Sequence, residues 1–275
     1  MIKFEKNAHW YDCSNGEGKT QHDATLREAR KQNLYPSVTT VDKEEFPNEF
    51  LTQWKMNEMA NSAYDNPPMA HEEKEAYVNR LYELSGHKAA TAADFGKELH
   101  AAIDDYPQLS LDDQLKPWIE EFGNWYDDFI VMPHAKEKIV WDDDLGVAGT
   151  MDFSGCSRDH GDIIIDWKSQ RLKEDKNGKV KPNFYPGWCR QLSFYGVCEA
   201  KKANTYPKSM PTIASVVIDS NKPRPPIVKI WSQEEVRFHY EEFVTAAVHY
   251  FRRKDFWPHR FDKPRTTISL AIPYE

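Results

Sequence analysis

Gly161-Asp162-Ile163-Ile164-Ile165-Asp166-Trp167-Lys168 reads as a buried strand whose exit carries an acid and a base. Three successive isoleucines are β-branched and favour extended backbone, and a glycine bounds the run. Side chains alternate along a strand, so Asp166 and Lys168 share a face. Two readings fit that pair. It is a surface ion pair where the strand emerges, or it is a carboxylate for a divalent cation beside an ammonium that steadies an attacking water or a phosphate.

Working outward, Gly146-Val147-Ala148-Gly149-Thr150-Met151-Asp152-Phe153 also alternates. The pattern puts Val147, Gly149, Met151 and Phe153 on one face and Asp152 with Thr150 on the other. A regular hairpin closing near Ser157 sets Asp152 nearer Asp162 than Asp166, so a site shared by Asp152 and Asp166 requires the strands to splay or bulge. Further strands are expected at 136–141, 212–219 and 227–231. Helical spacing marks 46–65, 70–90, 91–106, 112–131, 185–202 and 233–254, with Pro67-Pro68 separating the first two. Phe238, Phe243, Ala247 and Phe251 are the expected inward positions of the last helix, and Phe95, Leu99 and Ile103 form the stripe of the 91–106 segment. Residues 1–40 look irregular, although Ser37 can cap a segment beginning at Val38. Helices, three strands, helix, two strands and helix, in that order, indicate an α/β fold with a central mixed sheet.

Composition narrows the classes. Hydrophobic residues make up 40% of the 275, enough for a real core. No apolar run reaches the roughly 18 residues of a membrane span. Met1-Ile2-Lys3-Phe4-Glu5-Lys6 lacks a secretory apolar stretch, which predicts a soluble, cytoplasmic protein. Cysteines 13, 156, 189 and 198 lie far apart with no C-x-x-C pair, so neither a zinc site nor an iron–sulfur cluster is expected. The net charge of −8 argues against indiscriminate coating of nucleic acid. The charge is uneven, however. Lys168 to Arg190 carries seven basic residues, Arg252 to Arg265 carries six, and Asp142, Asp143 and Asp144 form an acidic knot. Asn15-Gly16-Glu17-Gly18-Lys19-Thr20 imitates the end of a phosphate-binding loop, but Cys13 stands where its first glycine belongs.

Five pieces in order resemble the RecB-like branch of the PD-(D/E)XK nuclease superfamily: Gly96-x-x-x-His100, Glu137, Gly149-x-x-Asp152, Asp166-x-Lys168 and Gln191-x-x-x-Tyr195. Tyr35-Pro-Ser-Val-Thr-Thr and Phe50-Leu-x-x-Trp54 are similar to the leading part of phage and mitochondrial genome maintenance exonucleases. The resemblance implies a restriction-endonuclease-like core over 91–255, an N-terminal irregular and helical region over 1–90 that helps hold DNA, and a tail over 256–275. It implies that Asp152, Asp166 and His100 bind Mg²⁺ or Mn²⁺, and that Lys168, Glu137, Gln191 and Tyr195 complete the catalytic set. It also implies a DNA exonuclease serving replication, repair or recombination.

Basic residues interleaved with aromatics make a single strand the preferred substrate, and the resemblance to exonucleases implies processing of DNA from an end. The expected contacts are Ser37, Thr39, Arg171, Lys173, Tyr185, Trp188 and Arg190, with Trp10, Tyr11, Tyr35 and Trp54 as further stacking platforms. An endonuclease or flap nuclease of the same fold, and a silent nucleic-acid-binding module, are the alternatives.

Overall fold

The isoleucines at 163–165 do form a buried strand. The computed structural model describes residues 9–21, 24–107 and 114–258. Among these the chain runs β1 (Trp10–Asp12), β2 (Lys19–Gln21), α1 (Leu26–Gln32), β3 (Tyr35–Pro36), α2 (Val38–Glu45), α3 (Glu49–Asp65), α4 (Lys74–Asp105), α5 (Lys116–Phe129), β4 (Ile130–Asp142), β5 (Val147–Ser157), β6 (Gly161–Gln170), α6 (Pro186–Lys202), β7 (Thr212–Asp219), β8 (Ile227–Ile230) and α7 (Gln233–Lys254).

Two compact units emerge: Met1–Phe46 with Lys116–Glu275, and Pro47–Leu115. This differs from the division at residue 90 expected from the sequence. No proline interrupts 74–105, so the two helices expected over 70–90 and 91–106 are one helix of 32 residues. Within that smaller unit Leu99 and Ile103 are buried, as the stripe required. The tail beyond residue 258, with Arg260, Lys263 and Arg265, lies outside the described residues.

The larger unit is α/β, with a central mixed sheet in the order β4-β5-β6-β7-β8 and helices flanking it. β6 and β7 are parallel and the other pairs antiparallel. A parallel pair needs a crossover, and α6 supplies it. Phe122, Trp125 and Tyr126 of α5 pack against Phe153 and Trp167 on one face. On the other, Met151 and Ile164 join Val38 of α2, Leu192 and Phe194 of α6, and Phe243 and Val244 of α7. Each such fully buried side chain contributes about 1.5–3 kcal/mol.

Met151 and Phe153 therefore lie on opposite faces, which corrects the expected strict alternation through β5. Phe238 also departs from expectation: it is exposed, while Phe243, Ala247 and Phe251 are buried. Within the N-terminal segment expected to be irregular, β1 pairs with β2 and β3 in a small sheet, and α1 is helical. Its strands are two or three residues long, too short for a periodicity to register. Ser37 caps α2 as expected, its Oγ accepting from Thr40 N–H at 2.9 Å.

Candidate active site

Register decides what β5 and β6 bring together. Ser157 pairs with Gly161, and the ladder continues residue by residue to Phe153 opposite Ile165. The turn is thus centred on Asp159, not Ser157, and one further step sets Asp152 across from Asp166. The expected placement of Asp152 nearer Asp162 is corrected, because the loop is two residues further along than assumed and the register needs no bulge. The ladder stops at this point. Asp152 Oδ2 accepts the Trp167 N–H at 2.9 Å where a strand carbonyl would otherwise do so. On the other edge, Lys136 pairs with Phe153 and Lys138 with Met151, which brackets Glu137 opposite Asp152. Glu137 has φ 47°, a left-handed conformation that costs a non-glycine residue about 1–2 kcal/mol. The strain falls at the position where the alternation of β5 breaks.

Asp166 is buried, and Lys168 Nζ lies 2.5 Å from its Oδ2. That approach is an ion pair rather than a well-directed hydrogen bond, so among the described residues neither carboxylate oxygen of Asp166 accepts one. Burial raises the Asp152 carboxyl well above the usual range, and the Asp166 charge raises it further; Lys168 and the Trp167 N–H oppose this. Two facing acids with one ammonium make a pocket of excess negative charge, partly cut off from water. Magnesium sites commonly use one or two carboxylates and leave the remaining positions to water and substrate phosphate. The donor set fits such an ion. Among the described residues no group of three or more His, Cys, Asp or Glu side chains is arranged for a metal. His100, half-buried on α4, belongs to the smaller unit.

Helix α6 backs the site. Gln191 Nε2 donates to the Tyr195 hydroxyl at 3.0 Å, so the expected pair lies together within the helix, buried. A Cβ at Gly149 would stand 2.6 Å from Tyr195 Cε1, which is why that strand position is glycine. Burial, opposed by the Gln191 hydrogen bond, raises the Tyr195 hydroxyl well above its ordinary value, and the charges of Asp166 and Asp152 add to this. Sequence reasoning gave Tyr11 no place here beyond a stacking platform. It is buried on β1, its hydroxyl 3.1 Å from Thr150 Oγ1, two residues from Asp152. A lone aromatic in an irregular-looking segment gives no sequence signal for this.

The expected DNA contacts divide. Arg171 and Lys173 are exposed beyond the end of β6. Tyr185 is exposed and meets Trp188 edge-on at 5.1 Å, while Lys168 Nζ lies 5.8 Å above the Trp188 ring. Arg190 is corrected: it is buried, 2.5 Å from Asp42 of α2, 3.3 Å from Glu242 of α7, and stacked on Phe46. Its charge is spent joining three helices. Ser37 is corrected for a similar reason, since it is buried and its hydroxyl is engaged in capping α2; Thr39 is half-buried with its hydroxyl 3.1 Å from Ser37 Oγ. Trp10, Tyr11 and Tyr35 are buried and cannot stack on a base, whereas Trp54 is exposed. The acidic knot closes the β4–β5 turn. Asp142 accepts from the Asp144 and Leu145 N–H groups and pairs with Lys201, and Asp143 accepts from the Tyr35 hydroxyl. The four cysteines are free.

Comparisons with known proteins add little detail. No family model matches the chain, and no curated protein does. Among solved structures, a candidate exonuclease of Eubacterium rectale superposes with a TM-score of 0.41 at 11% identity, over 58% of this chain and 68% of that one. Among the described residues no helix is long and apolar enough to cross a membrane.

Proposed function

We propose that the chain is a metal-dependent nuclease of the PD-(D/E)XK superfamily, in its RecB-like branch, acting as an exonuclease that prefers single-stranded DNA ends. The observation that carries this reading is the facing of Asp152 and Asp166 at the fork of β5 and β6, with Lys168 against an Asp166 carboxylate that accepts no directed hydrogen bond. Two carboxylates buried side by side with one ammonium are costly, and groups of this kind cluster where a site needs them.

Asp152 and Asp166 would hold Mg²⁺ or Mn²⁺. The ion, when bound, polarises the phosphoryl group and makes a water easier to deprotonate. Lys168 neutralises charge that builds on the phosphoryl oxygens during in-line attack. The Trp167 N–H fixes the Asp152 carboxylate, and Tyr195 with Gln191 holds β5 from behind. Glu137, across from Asp152, contributes a third negative charge to the same pocket. Hydrolysis of this kind leaves a 5′-phosphate and a 3′-hydroxyl.

A gel assay tests the proposal. End-labelled single-stranded DNA is incubated with Mg²⁺, Mn²⁺ or EDTA, using wild type beside Lys168→Ala. Cleavage by wild type alone, abolished by EDTA, supports a metal-dependent nuclease, and a circular single strand left intact supports attack from an end. Equal metal-dependent cleavage by Lys168→Ala overturns the assignment of the site. DNA binding without cleavage under any metal favours the silent module.

A further inference from the structure

Residues 171–182, between β6 and α6, contain Arg171, Lys173, Lys176, Lys179 and Lys181. All five are exposed, and among the described residues none is in an ion pair. A basic loop of this sort is ordinarily a solvated, mobile segment. Here four sets of contacts hold it in one shape. Gln170 closes its base: the side chain donates to the Asn183 carbonyl at 2.6 Å and accepts the Asn183 N–H at 3.1 Å. Leu172 and Pro182 are buried at the root, and Asp219 at the end of β7 accepts the Leu172 N–H at 3.2 Å. Further out, Glu174 bridges to Val180 in a short antiparallel pairing. Its carboxylate meets Arg224 Nη2 at 2.8 Å and Lys222 Nζ at 3.0 Å, while Arg224 Nε lies 2.8 Å from Asp219 Oδ2. The tip is a turn in which Asp175 Oδ1 accepts the Asn177 and Lys179 N–H groups and Gly178 adopts φ 75°.

The two acids of the loop are thus occupied by internal contacts and the five bases are not. The loop also begins three residues after Lys168 and leads straight to Tyr185 and Trp188. We infer that residues 171–182 are a prefolded basic finger, a rail for the phosphate backbone of a nucleic-acid strand entering or leaving the Lys168 site, and that Glu174 is the residue that positions it. The inference rests on the nucleic-acid reading of that site, but its test does not require cleavage. Prefolding matters because each exposed lysine that must be ordered on binding loses conformational freedom, and a shaped loop has already lost part of it.

The experiment measures the salt dependence of binding to fluorescent oligothymidine by anisotropy, in EDTA, with every protein carrying Lys168→Ala so that the strand stays intact. Each phosphate neutralised on a single strand contributes about 0.7 to the slope of log K against log salt, so Lys173→Ala/Lys176→Ala/Lys179→Ala should lower the slope by about 2. Glu174→Gln decides between a rail and a merely charged loop. It removes a negative charge, so simple electrostatics predicts tighter binding, whereas loss of the clamp on Arg224 and Lys222 predicts weaker binding. A triple variant that leaves the slope unchanged, or a Glu174→Gln protein that binds more tightly, overturns the inference. Its failure is distinguishable from that of the nuclease reading. Metal-dependent cleavage by the otherwise wild-type chain with an unchanged slope defeats only the finger, and a reduced slope without cleavage defeats only the nuclease.

Discussion

Gly149→Ala is expected to damage the fold through a single contact. Gly149 faces α6, and the added methyl would stand 2.6 Å from Tyr195 Cε1, 2.8 Å from its hydroxyl and 3.1 Å from Cζ. All three lie well inside van der Waals contact. The obstacle is a stiff ring in a fully buried position, next to Phe194 and braced by Gln191, not the free end of a flexible chain. Overpacking of this kind costs about 1–3 kcal/mol. At roughly 2–4 °C per kcal/mol for a protein of this size, the melting temperature should fall by roughly 2–12 °C. A double-mutant cycle isolates the cause. Tyr195→Ala alone opens a cavity and should cost about 3–5 kcal/mol, but in its presence the Gly149→Ala methyl meets no ring. The double variant should therefore be more stable than the sum of the singles by about 1–3 kcal/mol. Additivity within about 0.5 kcal/mol, measured by urea unfolding, would show that Tyr195 is not the obstacle and refute the reasoning. Because Asp152 lies three residues beyond Gly149, cleavage should fall with the single variant even where it remains folded.

The two facing acids and the buried thiols set further expectations. The Asp152 carboxyl ionises near pH 4 in an unfolded chain and higher in the fold, so without metal its contribution to stability is present below pH 4 and is lost as pH rises through the raised value. Asp152→Asn removes that loss. In EDTA at neutral pH it should melt a few degrees above wild type while abolishing cleavage, and a lower melting temperature counts against the burial of two like charges. Burial pushes the Cys13 and Cys189 thiols up to about 12 and raises Cys198 as well. Unfolded thiols ionise near pH 8.5, so above that pH stability should fall by roughly 1.4 kcal/mol per unit for each of these groups. Native protein should release no more than the half-buried Cys156 rapidly to a thiol reagent, against four in denaturant; rapid labelling of all four without denaturant contradicts the packing.

Much of the sheet was legible because its signals are local. The bounds of β7 and of α7 match the segments read from alternation and helical spacing, Thr212–Asp219 and Gln233–Lys254. What escaped depends on partners distant in the chain. Arg190 looked like a surface charge beside aromatics, but Asp42, 148 residues away, draws it inside. The hairpin centre was misplaced by two residues because Ser157 and Asp159 are equally plausible turn formers, and that small error moved Asp152 from one partner to another. The break in alternation at Asp152 has no sequence signature. It goes with the left-handed backbone of Glu137 on the neighbouring strand, which is a tertiary compromise.

A net charge of −8 looks unsuited to a polyanion, yet the distribution of the charges removes the objection. In the larger unit many acids are committed between packed elements. Asp42 and Glu242 hold Arg190, Asp142 holds Lys201, Glu44 and Glu45 hold Arg253, and Asp219 and Glu174 hold Arg224. With Lys222 on Glu174 and Lys254 on Glu44, these seven acids face six bases, so the groups are close to neutral at a distance. A strand passing the finger is influenced mainly by charges within a Debye length, about 8–10 Å at ordinary salt, so acids elsewhere on the surface hardly weaken the local field. Overall charge then governs solubility, and unpaired charge beside Lys168 governs where a strand can settle. Under the proposed nuclease reading, a protein with this arrangement should bind DNA weakly over most of its surface and firmly only along the path that leads to the paired aspartates, a property that suits processing from an end better than coating.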